Sequence, residues 1–387
     1  MRRLSLNERP GWKARAEALG FTFHHVDGRR YWDERAAYAF GLDEIENGLE
    51  APAEAIHQLC LELVDEVVKS EALMARLAIP EAARDYVAQS WADKAPSLYG
   101  RFDFAYDGRG PAKLYEYNAD TPTSIYETAV FQWIWLEEMI AAGRMPADTD
   151  QFNSLHEKLQ GRFKALFPGG GFVHFASDPD SVEDRQTVRY LEDLAAQAGI
   201  EPKFTPLLQI GLDADGRFVD PENYIIGAIF KLYPWEEMLR EPYAANLQNS
   251  KTQFLEPAWK TILSNKGLLP LLWARHAGHP NLLPAFFEDD PKVAELGNSY
   301  VRKPLFSREG ANIELVDRGR RAKVHDQGYG DEGYIRQALH TLPAFDGAYP
   351  VMGVWMVGDE AVALGIREDR GRITRNMSRY VPHVILV

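Results

Sequence analysis

At 387 residues and a formal net charge of −14, the chain is long enough for two or three lobes of roughly 150 residues each around a buried core. Hydrophobic content of 45%, charged content of 26% and a supply of 9 Trp, 17 Tyr and 19 Phe are those of a globular protein and exclude a disordered chain. The acidic balance argues against nucleic-acid and anionic-membrane partners, no stretch approaches about 18 consecutive apolar residues, and a single cysteine excludes an internal disulfide, so a cytoplasmic setting is expected.

Met1-Arg2-Arg3 continues into 4–10 without an apolar run, so no signal peptide is expected. Over 54–77, Ile56, Leu59, Cys60, Leu63, Val64, Val67 and Val68 recur at helical spacing, which predicts a helix with Cys60 on its apolar face. Residues 101–120 alternate like a hairpin, and 127–142 return to a helix with aromatic anchors at Phe131, Trp133 and Trp135. The turn formers of 167–171 lead into a short buried strand at 172–175, an acidic turn at 177–184 and a helix through about Ala198, the order of an α/β lobe. From Ser299 onward the pattern is strand-rich, at 300–305, 313–317, 333–338, 350–357 and 361–366. The expected lobes are 1–150, with helices and the hairpin, 151–250, an α/β substrate lobe, and 251–387, a nucleotide-binding lobe.

In the hairpin, period-two alternation puts Arg101 and Asp103 on one face and Phe102, Phe104 and Tyr106 on the other. On the second strand Glu116 and Asn118 face away from Tyr115 and Tyr117, and Asp107-Gly108-Arg109-Gly110-Pro111 between the strands is turn chemistry. The symmetric register sets Asp103 opposite Glu116, Arg101 opposite Asn118, Phe102 opposite Tyr117 and Phe104 opposite Tyr115. Two carboxylates so placed repel each other unless a cation joins them, and hard oxygen donors from two acids and one amide suit Mg²⁺. The competing reading is a solvated outer face on which Arg101 neutralises the acids.

Arg101-Phe102-Asp103, followed by Tyr115-Glu116-Tyr117-Asn118-Ala119-Asp120-Thr121-Pro122-Thr123-Ser124, resembles the synthetase domain of the glutathionylspermidine synthase family. The resemblance continues through Phe230-Lys231-Leu232-Tyr233-Pro234-Trp235-Glu236, Leu255-Glu256-Pro257-Ala258-Trp259-Lys260, Ser264-Asn265-Lys266, Lys303-Pro304-Leu305-Phe306-Ser307-Arg308-Glu309-Gly310-Ala311-Asn312 and Gly365-Ile366-Arg367-Glu368. Several motifs in order over about 270 residues are more specific than any short pattern. In length the chain is most similar to stand-alone acid–amine ligases that lack an amidase domain.

The resemblance implies an α+β, ATP-grasp-like fold with permuted motif order, its lobes set around a central ATP cleft. It implies ATP and Mg²⁺, as two ions, with Asp103, Glu116 and Asn118 as metal ligands and Arg101 stabilising phosphoryl transfer. Lys266 and Lys303 would grip the phosphates, Gly310 would let the backbone of its loop approach the phosphates and close over them as a lid, and Gln337 would lie at the adenine hinge with Arg372 near ATP. Thr121, Thr123, Glu183, Asp184 and Arg367 are the implied substrate contacts, with Arg367 also catalytic. Glu183 and Asp184 would hold an amine, although an acidic first turn behind the cap Ser181 accounts for them equally. Where the bifunctional enzyme has serine and threonine, this chain has Thr121 and Leu232, and the second change removes a hydroxyl available to glutathione.

The implied reaction is ATP-driven joining of a small carboxylate to an amine through an acyl phosphate, on a glutathione-like peptide and a polyamine-like amine. The alternatives are an ATPase or kinase-like enzyme with another acceptor, and a non-catalytic polyamine-binding module. Gly328-Tyr329-Gly330-Asp331-Glu332-Gly333 spells a dinucleotide fingerprint but precedes a strand, so it reads as a loop. His276 and His279 sit in a turn-like segment without a nearby cysteine, and a zinc site is not expected there.

Overall fold

The computed structural model describes residues 1–26, 28–308, 310–323, 328–374 and 378–386. The alternating run at 101–120 folds as the antiparallel pair Tyr99–Ala105 and Lys113–Asn118. These two strands form one edge of a five-stranded antiparallel sheet that continues through Tyr349–Val357, Glu360–Asp369 and Arg379–Val381. Sheet membership therefore crosses the expected boundary at 251, since strands from the C-terminal third sit beside the hairpin of the first.

One face of this central sheet carries Phe102, Phe104, Leu114, Met352, Val354 and Leu364 into the larger core. The helix Ala51–Val67 packs its apolar stripe, Ile56, Cys60, Leu63, Val64 and Val67, into the same core. The helix expected over 54–77 is two helices, because the chain breaks at Ser70, whose hydroxyl accepts the Leu73 amide at the start of Glu71–Arg76.

A second sheet is parallel, in the order Gln253–Leu255, Ala228–Lys231, Gly171–Ala176, Ile200–Phe204, with the helix Val182–Gln197 as the crossover between its last two strands. The expected strand at 172–175 is therefore present, although Phe172 is 42% exposed at its open end. A third sheet is antiparallel, in the order Ala285–Phe287, Tyr334–Ala338, Tyr300–Pro304, Glu314–Asp317, Arg320–Lys323. The architecture is thus mixed α/β with several sheets.

The helix expected at 127–142 begins as a π-helical turn, Glu127–Phe131, and continues as Gln132–Ala141. Phe131 and Trp135 are fully buried, but Trp133 is 40% exposed and anchors nothing. Among the described residues no helix is long and apolar enough to cross a membrane.

Candidate active site

The hairpin sets Arg101 opposite Asn118, Phe102 opposite Tyr117 and Asp103 opposite Glu116, the register that its alternation requires. The rings of Phe102 and Tyr117 stack with centroids 3.8 Å apart and fix that register from the core side. Beyond Asp103 the pairing shifts, so that Phe104 lies opposite Leu114 and not Tyr115. This bulge corrects the expected aromatic face: Leu114 takes the core position, while Tyr115 joins Glu116 in lining a cavity on the other side. The Tyr115 hydroxyl then donates to the carbonyl of His340 at 2.5 Å.

Arg101 is almost fully buried and holds Asp103 with two bonds, Nε to Oδ1 at 2.8 Å and Nη2 to Oδ2 at 3.2 Å. Its Nη1 donates to the carbonyl of Thr123 at 2.9 Å, and Asn118 donates its side-chain amide to Asp103 Oδ2 at 3.1 Å. On the neighbouring strand, Gly353 lies opposite Asp103 and leaves room for the guanidinium arm, because a Cβ there would sit 2.9 Å from Arg101 Cδ.

Glu116 lies 3.2 Å from Lys266 Nζ, which also donates to the Ser307 carbonyl. Burial lifts the Glu116 carboxyl, but Lys266, Lys303 and Arg101 outweigh it and leave the group below the ordinary carboxylate value. Burial lowers the Lys303 ammonium to about 8 against the pull of Glu116. Lys303 donates to the Tyr115 carbonyl and to Gln337 Oε1, both at 2.8 Å, and the Gln337 amide donates to the Leu114 carbonyl at 3.0 Å. The side chain of Gln337 is therefore used within the protein, and the segment 338–342 after it lines the cavity at the expected hinge.

Two cavities meet at Asp103 and Glu116. The first, of about 780 Å³, has Lys303 and Gln337 at its base, apolar walls that include Val301, Leu315 and Ile373, and Arg372 at its rim. Arg372 is half-exposed and paired with Asp317 at 2.8 Å. The second is an open cleft of about 1400 Å³ lined by Arg101, Asp103, Glu116, Asn118, Thr121, Thr123, Glu183, Asp184, Lys266, Gly310 and Arg367. Glu309 of the expected lid motif lies outside the described residues. Gly310 has φ +75° and approaches the Thr374 carbonyl so closely that a Cβ would lie 2.9 Å from it.

Ser181 caps the helix Val182–Gln197 by accepting the Asp184 amide, while Glu183 and Asp184 line the cleft. Burial first, then the neighbouring Glu183, raises Asp184 to about 6. Strand alternation separates Arg367 from Glu368: Arg367 faces the cleft, whereas Glu368 is buried among Arg3, Arg379 and Tyr38. Leu232 is buried in the core beside Phe230.

Further motif residues line or brace the cleft. Asp120 forms a buried ion pair with Lys231 at 2.9 Å and accepts the Trp235 amide at 2.8 Å, which ties the end of the hairpin to the parallel sheet. Glu256 accepts the amides of Leu98 and Tyr99 and pairs with Lys260 at 2.8 Å, holding the start of the Arg101 strand. Arg308 donates to the Thr121 hydroxyl at 2.8 Å and lies 3.5 Å from Glu236, inside the cleft.

A family model described as glutathionylspermidine synthase preATP-grasp matches residues 3–386. The chain is 39% identical over 379 residues to a Haemophilus influenzae protein named "Putative acid--amine ligase", covering 94% of both chains. It is 28% identical to the trypanothione synthetase of Crithidia fasciculata, covering 82% of this chain and 52% of that one. It is 27% identical to the bifunctional glutathionylspermidine synthetase/amidase of Escherichia coli, covering 97% of this chain and 63% of that one. In fold it is similar to a glutathione synthetase-like effector from Globodera pallida, with a TM-score of 0.59 at 11% identity and 98% of both chains covered. With a family model that spans nearly every residue and a relative similar over nearly its whole length, the chain belongs to the glutathionylspermidine synthase family of ATP-dependent carbon–nitrogen ligases.

Proposed function

We propose that the chain is an acid–amine ligase of permuted ATP-grasp architecture, with ATP in the smaller cavity and the carboxylate and amine substrates in the open cleft. The observation that carries this reading is the meeting of the two cavities at Asp103 and Glu116, with Lys303 lining the smaller one and Arg101, Lys266, Glu183 and Asp184 lining the cleft.

The donor set suits Mg²⁺, since two carboxylates and the Asn118 amide oxygen are hard ligands on adjacent strands, and three nearby cations match polyphosphate. When bound, the cation would neutralise phosphate oxygens. Arg101 is fixed by Asp103 and Thr123 in an attitude suited to the phosphoryl group as charge develops on it. Lys266 and Lys303 would hold the remaining phosphates, and Arg367 with Arg308 would receive the substrate carboxylate. Carboxylate attack on the terminal phosphoryl group gives an acyl phosphate, which the amine converts to an amide. Closure of the loop around Gly310 keeps water from that intermediate. A glutathione-like peptide and a polyamine-like amine are the first pair to test, given the names of the relatives.

The test incubates the purified protein with ATP, Mg²⁺ and a panel of carboxylates and amines that includes glutathione and spermidine. Phosphate release in step with a mass-detected amide is expected. Phosphate release without amide, or transfer of phosphate to an acceptor, overturns the ligase reading.

A further inference from the structure

Behind the cleft wall lies a buried carboxylate that the ligase reaction described so far leaves unused. Glu127 is 1% exposed and opens the π-helical turn Glu127–Phe131. It accepts the hydroxyl of Tyr31, itself buried, at 2.6 Å, and the Tyr31 oxygen lies 3.0 Å from Ser124 Oγ. Because the Tyr31 hydrogen points at the carboxylate, Ser124 is the donor in the second bond, so both hydrogens run toward Glu127. Ser124 reaches the other way, into a narrow pocket bounded by Arg101, Asp103 and Arg367, residues through which that pocket adjoins the cleft. Its backbone is held at φ +71°, a conformation that non-glycine residues rarely adopt, one residue after the Thr123 carbonyl bound by Arg101.

We propose that Ser124, Tyr31 and Glu127 form a relay that takes a proton from the attacking amine at the cleft to a buried acceptor. The proposal rests on the ligase reading and gives that reaction its proton acceptor. An alkylamine enters as an ammonium ion and cannot attack until it loses a proton. In the step, the ammonium N–H bond breaks and its proton goes to Ser124 Oγ, the serine hydrogen passes to the Tyr31 oxygen, and the tyrosine hydrogen passes to Glu127. The freed nitrogen lone pair forms the C–N bond with the acyl carbon, the C–O bond to phosphate breaks, and phosphate leaves with that electron pair. The second proton shed by nitrogen goes to the departing phosphate. Glu127 returns its proton along the same hydroxyls when the cleft opens.

The surroundings suit an acceptor that works near neutrality. Burial, and then Glu183 from the helix Val182–Gln197, push the Glu127 carboxyl up to about 7, against the Tyr31 hydrogen bond and Arg367 from the strand Glu360–Asp369. The hydroxyls of Tyr126 and Tyr380 are also within its electrostatic reach.

The test compares the full-length enzyme with Glu127→Gln, which keeps an acceptor for Tyr31, and with Tyr31→Phe, which cuts the relay at its middle. Glutathione serves as the acid, and either spermidine or hydroxylamine, which is uncharged at neutral pH, as the nucleophile. The relay predicts that both variants lose roughly 100-fold or more with spermidine while staying within about threefold of the unsubstituted enzyme with hydroxylamine. Equal losses with both nucleophiles, or none with either, overturn it. Failure of the unsubstituted enzyme to form amide or hydroxamate with any carboxylate of the panel overturns the ligase reading and the relay with it. A readout free of substrate separates the two: in infrared difference spectra of the unsubstituted protein minus Glu127→Gln, a carboxyl band should titrate within about one unit of pH 7. A band that titrates in the ordinary carboxylate range overturns the relay alone.

Discussion

Asp103 and Glu116 stand opposite each other across the hairpin, and each is held by a different cation, Asp103 by Arg101 at 2.8 Å and Glu116 by Lys266 at 3.2 Å. On the proposed ligase reading, the pair would exchange these protein cations for a divalent one when phosphate occupies Arg101 and Lys266. Glu116→Ala is expected to abolish ATP turnover, and Asp103→Asn to raise the Mg²⁺ concentration needed for half-maximal phosphate release by at least roughly 100-fold. Mg²⁺ titrations of phosphate release check both. Near-normal turnover in Glu116→Ala would sink the metal assignment.

Gly353 is the reason Arg101 can lie flat across the central sheet. A Cβ there would sit 2.9 Å from Arg101 Cδ and 3.2 Å from the Gly365 carbonyl, so Gly353→Ala must displace the arginine or push neighbouring strands away from each other. The expected cost is about 1–3 kcal/mol of stability, read by denaturant unfolding. ATP turnover should fall on the order of 100-fold, because the guanidinium loses its alignment. Unchanged turnover in a folded Gly353→Ala protein would show that Arg101 does not act from this position.

The Asp120–Lys231 pair supports the site without lining up with its chemistry. Both side chains are 2% exposed, and Asp120→Ala leaves a buried ammonium without its ion-pair partner, bonded to the Tyr233 carbonyl, 4.4 Å from the Trp235 ring and with Glu236 and Glu256 within electrostatic reach. Loss of about 3–5 kcal/mol is expected on chemical denaturation. Adding Lys231→Met to Asp120→Ala should restore most of it by removing the uncompensated charge. A double variant as unstable as the single one would show that the Trp235 amide, and not the ion pair, is what Asp120 secures.

What could be read from sequence was what period and spacing encode. The hairpin was readable because Arg101, Asp103, Glu116 and Asn118 alternate with apolar residues around one turn. The bulge was not, because Tyr115 fits either face and an extra residue leaves no mark in an alternating pattern. Trp133 misled for a geometric reason: residues two apart on a helix lie about 200° from each other, so Phe131 and Trp135 share a buried face and Trp133 opposes them. The pairing of Tyr349–Val357 with Tyr99–Ala105 and the pair Asp120–Lys231 join distant segments, which only the folded chain brings together. The family motifs pointed at Asp120, Lys231, Glu256 and Lys260, but local pattern alone does not separate residues that touch substrate from those that hold the strands.

Glu127 also leaves a mark on stability. Its carboxyl is pushed from the ordinary 4.5 up to about 7 by burial and Glu183, so between those values the native state keeps a proton that the unfolded chain has lost. The contribution is fully present below about pH 4.5 and is lost as pH rises through about 7, a fall of roughly 3 kcal/mol for a group this deeply buried. Glu127→Gln keeps a neutral side chain at every pH and should lack that component. Asp184, raised to about 6, bends the curve in the same direction in both proteins and cancels in the comparison. Denaturant unfolding at a series of pH values should therefore show Glu127→Gln gaining on the unsubstituted protein as pH rises from about 4.5 to about 7, and levelling off above that. A stability difference that stays flat across that window means that the Glu127 carboxyl titrates in the native state as it does in the unfolded one, and the relay then has no acceptor tuned to neutral pH.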